Sequence, residues 1–206
     1  MSYLFVFSIL GLIAFMFSGA LVAINNKMDL GGVIFLSAIT GLGGGTIRDI
    51  LLKLPVFWMQ NNWYIYLTVM IGVITFCFYH TLKQYISRLI FEKTLVLFDV
   101  LGTASFMIMS VSMAKLNHQS AIISIVLTVI TCIGGGVLRD IICGETPIIF
   151  KNELYATSVV LGGTIYIAID PYNTTCAIVL ACAFSISFRF TAMHFNLNLP
   201  RKYIDQ

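Results

Sequence analysis

Six stretches of this chain carry no charged residue, and a seventh, 94–114, carries only Asp99. A transmembrane helix needs about 20 consecutive apolar residues to cross the hydrocarbon core of a bilayer. The stretches therefore predict an all-α integral membrane protein with seven transmembrane helices. The predicted spans cover residues 3–24, 30–52, 63–80, 94–114, 120–142, 154–170 and 173–192. Pro171 and Asn173 predict a tight turn between the last two spans.

The composition excludes the soluble classes of protein. Hydrophobic residues make up 59% of the 206-residue chain and charged residues 10%, whereas soluble domains have roughly 45–50% and 25%. The net charge of +3 is small and scattered, which excludes a nucleic-acid partner. The N-terminal residues MSYLFVFSIL lack a basic region and a cleavage site. We therefore predict that they begin the first span and are not a removable signal.

The basic residues between the spans predict the orientation in the cell inner membrane. Cytoplasmic loops carry an excess of Lys and Arg, and with seven spans the two termini lie on opposite sides. An outside N-terminus and a cytoplasmic C-terminus leave only Lys53 and Lys115 outside. That orientation assigns eight basic residues to the cytoplasmic side, namely Lys27, Lys83, Arg88, Lys93, Lys151, Arg189, Arg201 and Lys202.

The single membrane domain, 1–206, contains an internal repeat with a spacing of 91 residues. GLGGGTIRDILL at 41–52 aligns without gaps with CIGGGVLRDIIC at 132–143. We predict repeat one over 4–80, repeat two over 95–171 and a seventh helix outside both repeats at 173–192. Each repeat holds three spans, so the second repeat is inserted upside down relative to the first. Inverted repeats of this kind place the transport site near the bilayer midplane.

Each copy of the motif has three consecutive glycines, which suggests a broken helix. Glycine costs about 1 kcal/mol relative to alanine inside a helix, and a membrane tolerates a break only beside protein or a wet cavity. We therefore predict breaks in spans two and five that open a polar path. The alternative is close helix packing through small residues, including the GxxxG of Gly41 and Gly45. The glycines concerned are Gly43, Gly44, Gly45, Gly134, Gly135 and Gly136.

The Arg-Asp pair of each motif is costly at depth. A charge inside the bilayer costs roughly 2.5–3.5 kcal/mol on the lenient insertion scale. We predict that the four residues line or gate a path, and the alternative is that each arginine snorkels to the headgroups as an anchor. Neighbours on a helix point about 100° apart, so we expect no simple neutralisation within a pair. The pairs are Arg48 with Asp49 and Arg139 with Asp140.

Two further residues complete the predicted pore or gating set, Asp99 and Ser18. Asp99 aligns with Ser8 in the first repeat, so the symmetry is broken there. It either attracts ions at the cytoplasmic entrance or only caps its helix. Ser18 offers a hydroxyl on span one, although most such hydroxyls bond back to helix carbonyls. The cysteine and histidine spacings predict neither a metal site nor a cofactor, and we find no motif typical of an enzyme.

These motifs carry a family resemblance over about residues 4–192. The doubled GGGxxRD, the segment with Phe15, Ser18, Gly19 and Ala20, and MDLGG at 28–32 resemble the prokaryotic trimeric intracellular cation (TRIC) channel family. The resemblance implies a homotrimer whose protomers each hold a pore for monovalent cations, chiefly potassium. It also implies flexible glycine positions in spans two and five. Ser8 departs from the family, in which an aspartate is common at that position.

Three functional hypotheses follow. The leading one is a potassium channel with a pore inside each protomer. The second is a secondary carrier for glycine or a similar small solute, which also uses inverted repeats, and some bacterial members of the family have been described in that way. The third, a membrane scaffold that transports nothing, leaves the four motif charges at symmetric depth unexplained.

Overall fold

The chain folds into helices joined by short connections, as seen in a computed structural model that describes residues 2–82, 88–151, 154–195 and 197. That part of the chain contains no strand. Its helices are α1 (Ser2–Asn25), α2 (Leu30–Leu51), α3 (Phe57–Gln60), α4 (Trp63–Leu82), α5 (Arg88–Leu116), α6 (Ala121–Ile142), α7 (Ile148–Lys151), α8 (Tyr155–Ile169) and α9 (Thr174–His194). Three of the basic residues that are predicted to face the cytoplasm lie outside the described residues, namely Lys83, Arg201 and Lys202.

The predicted all-helical membrane architecture is confirmed. Within the described residues, α1, α2, α5, α6 and α9 are long and apolar enough to cross a membrane, and α4 and α8 are shorter apolar helices. Large apolar side chains such as Phe35, Tyr66 and Ile122 are exposed, as expected of a surface that faces lipid. Helix α5 begins at Arg88, six residues before the predicted span.

Helix ends recur at the spacing of 91 residues seen in the sequence. Helix α6 begins and ends 91 residues after α2, and α7 does the same relative to α3. Asp29 and Ser120 cap α2 and α6 by accepting a bond from the backbone N–H of the third helical residue. The residues after α1 and α5 that take a left-handed backbone conformation, Lys27 and His118, also lie 91 apart.

The core is built where the corresponding helices of the two halves meet. Helix α1 packs on α5, and α2 packs on α6. Phe15 of α1 and Phe106 of α5 form an edge-to-face pair with ring centroids 5.1 Å apart. Each ring lies against a glycine of the opposite helix, Phe15 on Gly102 and Phe106 on Gly11. Helix α9 lies outside this arrangement and packs against α8 and α5.

The predicted breaks in spans two and five are wrong, because α2 and α6 are continuous α-helices through their glycines. The glycines instead allow the two backbones to touch. A Cβ on Gly44 would lie well inside van der Waals distance of the Thr131 carbonyl oxygen. A Cβ on Gly135 would collide in the same way with the Thr40 carbonyl. Close packing through small residues, the alternative reading of the motif, is what the helices show.

Candidate functional site

The last turn of α2 holds a buried ion pair between sequence neighbours. Arg48 donates from Nε to Asp49 Oδ1 at 2.9 Å and from Nη2 to the same oxygen at 2.5 Å. The other carboxylate oxygen, Oδ2, accepts from the backbone N–H of Phe57 at 3.0 Å. Asp49 thus joins the end of α2 to the start of α3. Both side chains are almost fully buried.

The last turn of α6 repeats this geometry. Arg139 donates from Nε to Asp140 Oδ1 at 2.8 Å. Asp140 Oδ2 accepts from the backbone N–H of Ile148, at the start of α7, at 3.0 Å. The two motifs therefore build equivalent ion pairs, each of which fixes a short helix to the end of a long one.

The sequence expectation that neighbours on a helix could not neutralise each other is wrong for both pairs. The reason is the length of the arginine side chain, which folds back along the helix end to reach the next residue. Snorkelling is not what these arginines do either. Arg48 is 2% exposed and Arg139 is 1% exposed, so both guanidinium groups are enclosed by protein.

Each arginine also reaches the first helix of the opposite half. Arg48 Nη1 contacts Met109 Sδ on α5. Arg139 Nη1 donates to Ser18 Oγ on α1 at 2.5 Å. Ser18 and Met109 lie 91 residues apart, so the two contacts are equivalent. Ser18 therefore has a partner outside its own helix, and a thioether replaces its hydroxyl on the other side.

The second half carries charges that the first lacks. Asp99 Oδ1 lies 3.8 Å from Arg139 Nη1, and Asp99 Oδ2 lies 3.5 Å from Arg189 Nη2. The Arg189 guanidinium also stacks on Tyr155, with its Cζ 3.8 Å from the ring centroid. In the first half Ser8, whose side chain is also buried, occupies the position of Asp99.

Two sequence expectations are corrected by this cluster. Asp99 is neither a helix cap nor an interfacial residue, because it lies well inside α5 and is 3% exposed. Arg189 was assigned to the cytoplasmic loops, yet it is 4% exposed within α9. The repeat gave no signal for this role, because α9 lies outside both copies and its approach to Asp99 depends on packing.

Hydroxyl groups extend the polar interior between the helices. Thr103 bonds back to the Asp99 carbonyl at 2.7 Å and lies 3.0 Å from the Tyr155 hydroxyl. Ser110 donates to Thr131 Oγ1 at 3.0 Å. Several of the hydroxyls thus connect neighbouring helices as well as bonding to their own.

A polar cavity leads to the second ion pair. Its volume is about 530 Å³, and its polar lining comes from Asn25, Glu92, Glu145, Arg139 and Asp140. We call it the vestibule. A second void of about 10 Å³, barely enough to hold one water molecule, is lined by residues that include Asp99, Tyr155, Gly136 and the same Arg139 and Asp140. Arg139 and Asp140 thus lie between the vestibule and the buried carboxylate.

The described residues contain no group of three or more His, Cys, Asp or Glu side chains that could hold a metal ion. Cys77, Cys132, Cys143, Cys176 and Cys182 are free thiols. The chemistry of the site therefore rests on the carboxylates, guanidinium groups and hydroxyls described above.

Comparison with known proteins gives matches over nearly the whole chain. The family model described as "Glycine transporter" matches residues 5–80 and again 96–171. The UPF0126 inner membrane protein YadS of Escherichia coli K12 is 31% identical over 204 residues, which cover 96% of this chain and 95% of that protein. The TRIC trimeric intracellular cation channel orthologue from Rhodobacter sphaeroides superposes with a TM-score of 0.88 at 32% identity, covering 96% of this chain and all of that one. A prokaryotic TRIC channel crystallised in 0.5 M KCl superposes with a TM-score of 0.86 at 30% identity, covering 95% of this chain and 98% of that one.

Proposed function

This chain belongs to the prokaryotic TRIC family, and we propose that it is a cation channel that conducts potassium through a path inside each protomer. The solved relatives of similar fold are described as cation channels. The proposal includes a homotrimer in the cell inner membrane, with the N-terminus outside and the C-terminus in the cytoplasm. Its partners are monovalent cations and the lipid bilayer, and it involves no cofactor and no catalytic step.

The observation that carries the proposal is the vestibule ending at a buried carboxylate. Among the described residues that line it, Glu92, Glu145 and Asp140 carry carboxylates and Arg139 carries a guanidinium. A cavity lined mainly by one sign of charge concentrates ions of the opposite sign, so this one favours cations. In the predicted orientation it opens to the cytoplasm. The Asp99 carboxylate lies next, beside the small void.

We further propose that the crossing of α2 and α6 is the gate. Gly44 and Gly135 bring the two backbones into contact near the middle of the helices. A path that continues past Asp99 towards the Arg48 pair requires these helices to move apart. The glycines act in this proposal as contact points that can open, with the Leu138 and Ile47 side chains packed beside them.

The test is a planar-bilayer recording of the purified protein in asymmetric KCl. We expect unitary currents that reverse near the potassium equilibrium potential. Replacing potassium with a large organic cation should abolish them. A well-folded protein without unitary currents would contradict the channel proposal.

A carrier for glycine is the second candidate, and a specific observation favours it. The site presents a guanidinium and carboxylates around one cavity, Arg139 with Asp140 and Glu145. This pairing of signs is complementary to the carboxylate and ammonium groups of an amino acid. Counterflow of labelled glycine in proteoliposomes, in the absence of unitary currents, would support the carrier over the channel.

A further inference from the structure

Arg189 is a buried cation on the helix that stands outside both repeats. Its guanidinium lies on the Tyr155 ring, with 3.8 Å from Cζ to the centroid. Its Nη2 atom lies 3.5 Å from Asp99 Oδ2. The first half has no acid at the equivalent position, because Ser8 aligns with Asp99. The arrangement is therefore specific to the second half.

The charges of the cluster divide into two pairs. Arg139 forms its close hydrogen bond with Asp140, at 2.8 Å, and lies farther from Asp99, at 3.8 Å. Asp99 is buried, and a buried carboxylate needs an opposite charge beside it. With Arg139 hydrogen-bonded to Asp140, Arg189 is the nearer of the two guanidinium groups that face Asp99.

The contact between Asp99 and Arg189 is electrostatic. Asp99 Oδ2 accepts no hydrogen bond from the described residues, although Arg189 Nη2 lies at ion-pair distance. Asp99 and Tyr155 both line the void of about 10 Å³. A small cation in this void would lie beside a carboxylate whose oxygen is not committed to a directional bond.

We propose that Arg189 is a tethered cation that competes with the permeating ion for Asp99. The inference rests on the proposed channel function and deepens it by naming the ion-binding carboxylate and the residue that limits its occupancy. When Arg189 stays on Asp99, the carboxylate is neutralised and holds an ion weakly. When an ion neutralises Asp99, the guanidinium remains stacked on Tyr155, where a cation is also stabilised.

The test compares Arg189→Gln, Arg189→Lys and Asp99→Asn with the wild type. The first measurement is the dependence of unitary conductance on KCl concentration. We expect Arg189→Gln to reach half-saturation at a several-fold lower KCl concentration, since Asp99 loses its internal competitor. Arg189→Lys keeps the charge and should stay near the wild type. Lys115→Gln, which removes the cation of an ion pair with Asp170 far from the cluster, is the matched control and should leave the curve unchanged.

The second measurement needs no conduction. Thermal unfolding in detergent is followed in KCl and in choline chloride at equal ionic strength. In choline the Asp99 carboxylate of Arg189→Gln is left with the more distant Arg139 guanidinium, 3.8 Å away, so KCl should raise the melting temperature of this variant more than it raises that of the wild type. In Asp99→Asn the melting temperature should be the same in KCl and in choline chloride. An Arg189→Gln protein with the wild-type conductance curve and the wild-type salt response would overturn the inference.

The two proposals fail separately. A wild-type protein without unitary currents contradicts the channel, while the unfolding measurement still decides whether potassium competes with Arg189. Should Arg189→Gln fold in neither salt, Asp99→Asn decides, because an unchanged dependence of melting temperature on KCl in that variant overturns the inference.

Discussion

At the residue scale, the protein buries guanidinium groups by giving each a carboxylate from the next position in the chain. Arg48 and Arg139 each lie beside their own aspartate, and each aspartate uses its second oxygen to cap a short helix. Removing one partner of a buried ion pair typically costs about 3–5 kcal/mol, because the other charge is left without compensation. The two arginines are thus equivalent in structure, but only Arg139 is placed at the vestibule.

Replacing Arg139 with Gln should change the unitary current more than replacing Arg48. A unit charge about 4 Å from an ion is worth ~4 kcal/mol at an effective dielectric near 20, so loss of the Arg139 charge should increase the cation current from the vestibule side. Arg48→Gln is the matched control, with the same chemistry in the other half. The measurement is the single-channel current–voltage curve in symmetric KCl. Equal and linear curves for both folded variants would assign these arginines a purely structural role.

At the scale of elements, the contact between α2 and α6 depends on glycines at particular positions. In the triplet of α6, Gly135 faces the Thr40 carbonyl of α2, whereas a Cβ on Gly136 would meet only the Arg139 Nη2 atom, at 3.7 Å. Neighbouring glycines in one motif therefore have different roles. One allows two backbones to touch, and the other lines the small void.

Gly135→Ala should destabilise the protein and Gly136→Ala should not. At position 135 the added methyl collides with backbone, and overpacking of this kind typically costs about 1–3 kcal/mol. At position 136 it makes ordinary contacts, and alanine gains up to about 1 kcal/mol of helix propensity. Melting temperatures in detergent should separate the two variants. Gly163→Ala in α8, where a Cβ meets nothing within 4 Å, controls for the gain in propensity. Similar melting temperatures for Gly135→Ala and Gly136→Ala would contradict the backbone contact at Gly135.

The turn between α8 and α9 is fastened to α5 by a pair that depends on pH. Burial raises the pKa of Asp170, but hydrogen bonds from Lys115 and Thr174 outweigh it and lower the pKa below its usual value. A carboxyl group with a lowered pKa in the folded state stabilises the fold above its unfolded pKa of about 4. This stabilisation is lost as the pH falls through the folded pKa. The effect is modest, because Lys115 is about half exposed.

We therefore expect Asp170→Asn to be less stable than the wild type at neutral pH, and the difference to narrow as the pH falls below the unfolded pKa of aspartate. The measurement is the melting temperature of both proteins between pH 7 and pH 3, since the pKa of an unperturbed aspartate is about 3.9. A difference that persists unchanged at the acid end would mean that Asp170 acts through packing and not through its charge.

At the scale of the whole molecule, the two halves combine so that one chain encloses its own polar interior. The vestibule, the ion pairs and the helix crossing all lie within a single protomer. The proposed trimer would then contain three complete paths, one inside each protomer, and would need no shared channel on the trimer axis.

Mixed trimers test this arrangement. Wild-type protein and a variant of altered conductance, Arg139→Gln, should assemble into channels that show up to three conductance steps, each of wild-type or variant size. The reason is that a path inside each protomer senses only its own arginine. Native mass spectrometry in mild detergent should give a mass of three chains. Intermediate conductances in mixed assemblies would indicate one shared pore.

Much of this protein could be predicted from its sequence alone, because the determining features are local. The length and hydropathy of the apolar stretches identify membrane helices. Six of the seven predicted spans begin within two residues of the first residue of a described helix. The register of 91 residues identified the pairs Arg48–Asp49 and Arg139–Asp140 as equivalent before any geometry was known. These inferences need only the spacing of residues along the chain.

The rest was decided by the tertiary structure, because it depends on what lies across from each residue. Three glycines permit a broken helix and a close crossing equally well, and only the Thr40 and Thr131 carbonyls of the facing helices select the crossing. Arg189 resembles a basic residue at a membrane boundary until α9 is packed on α5, where it meets Asp99. Pairing between charges 90 positions apart depends on three-dimensional packing, and sequence spacing outside the repeat carries no record of it.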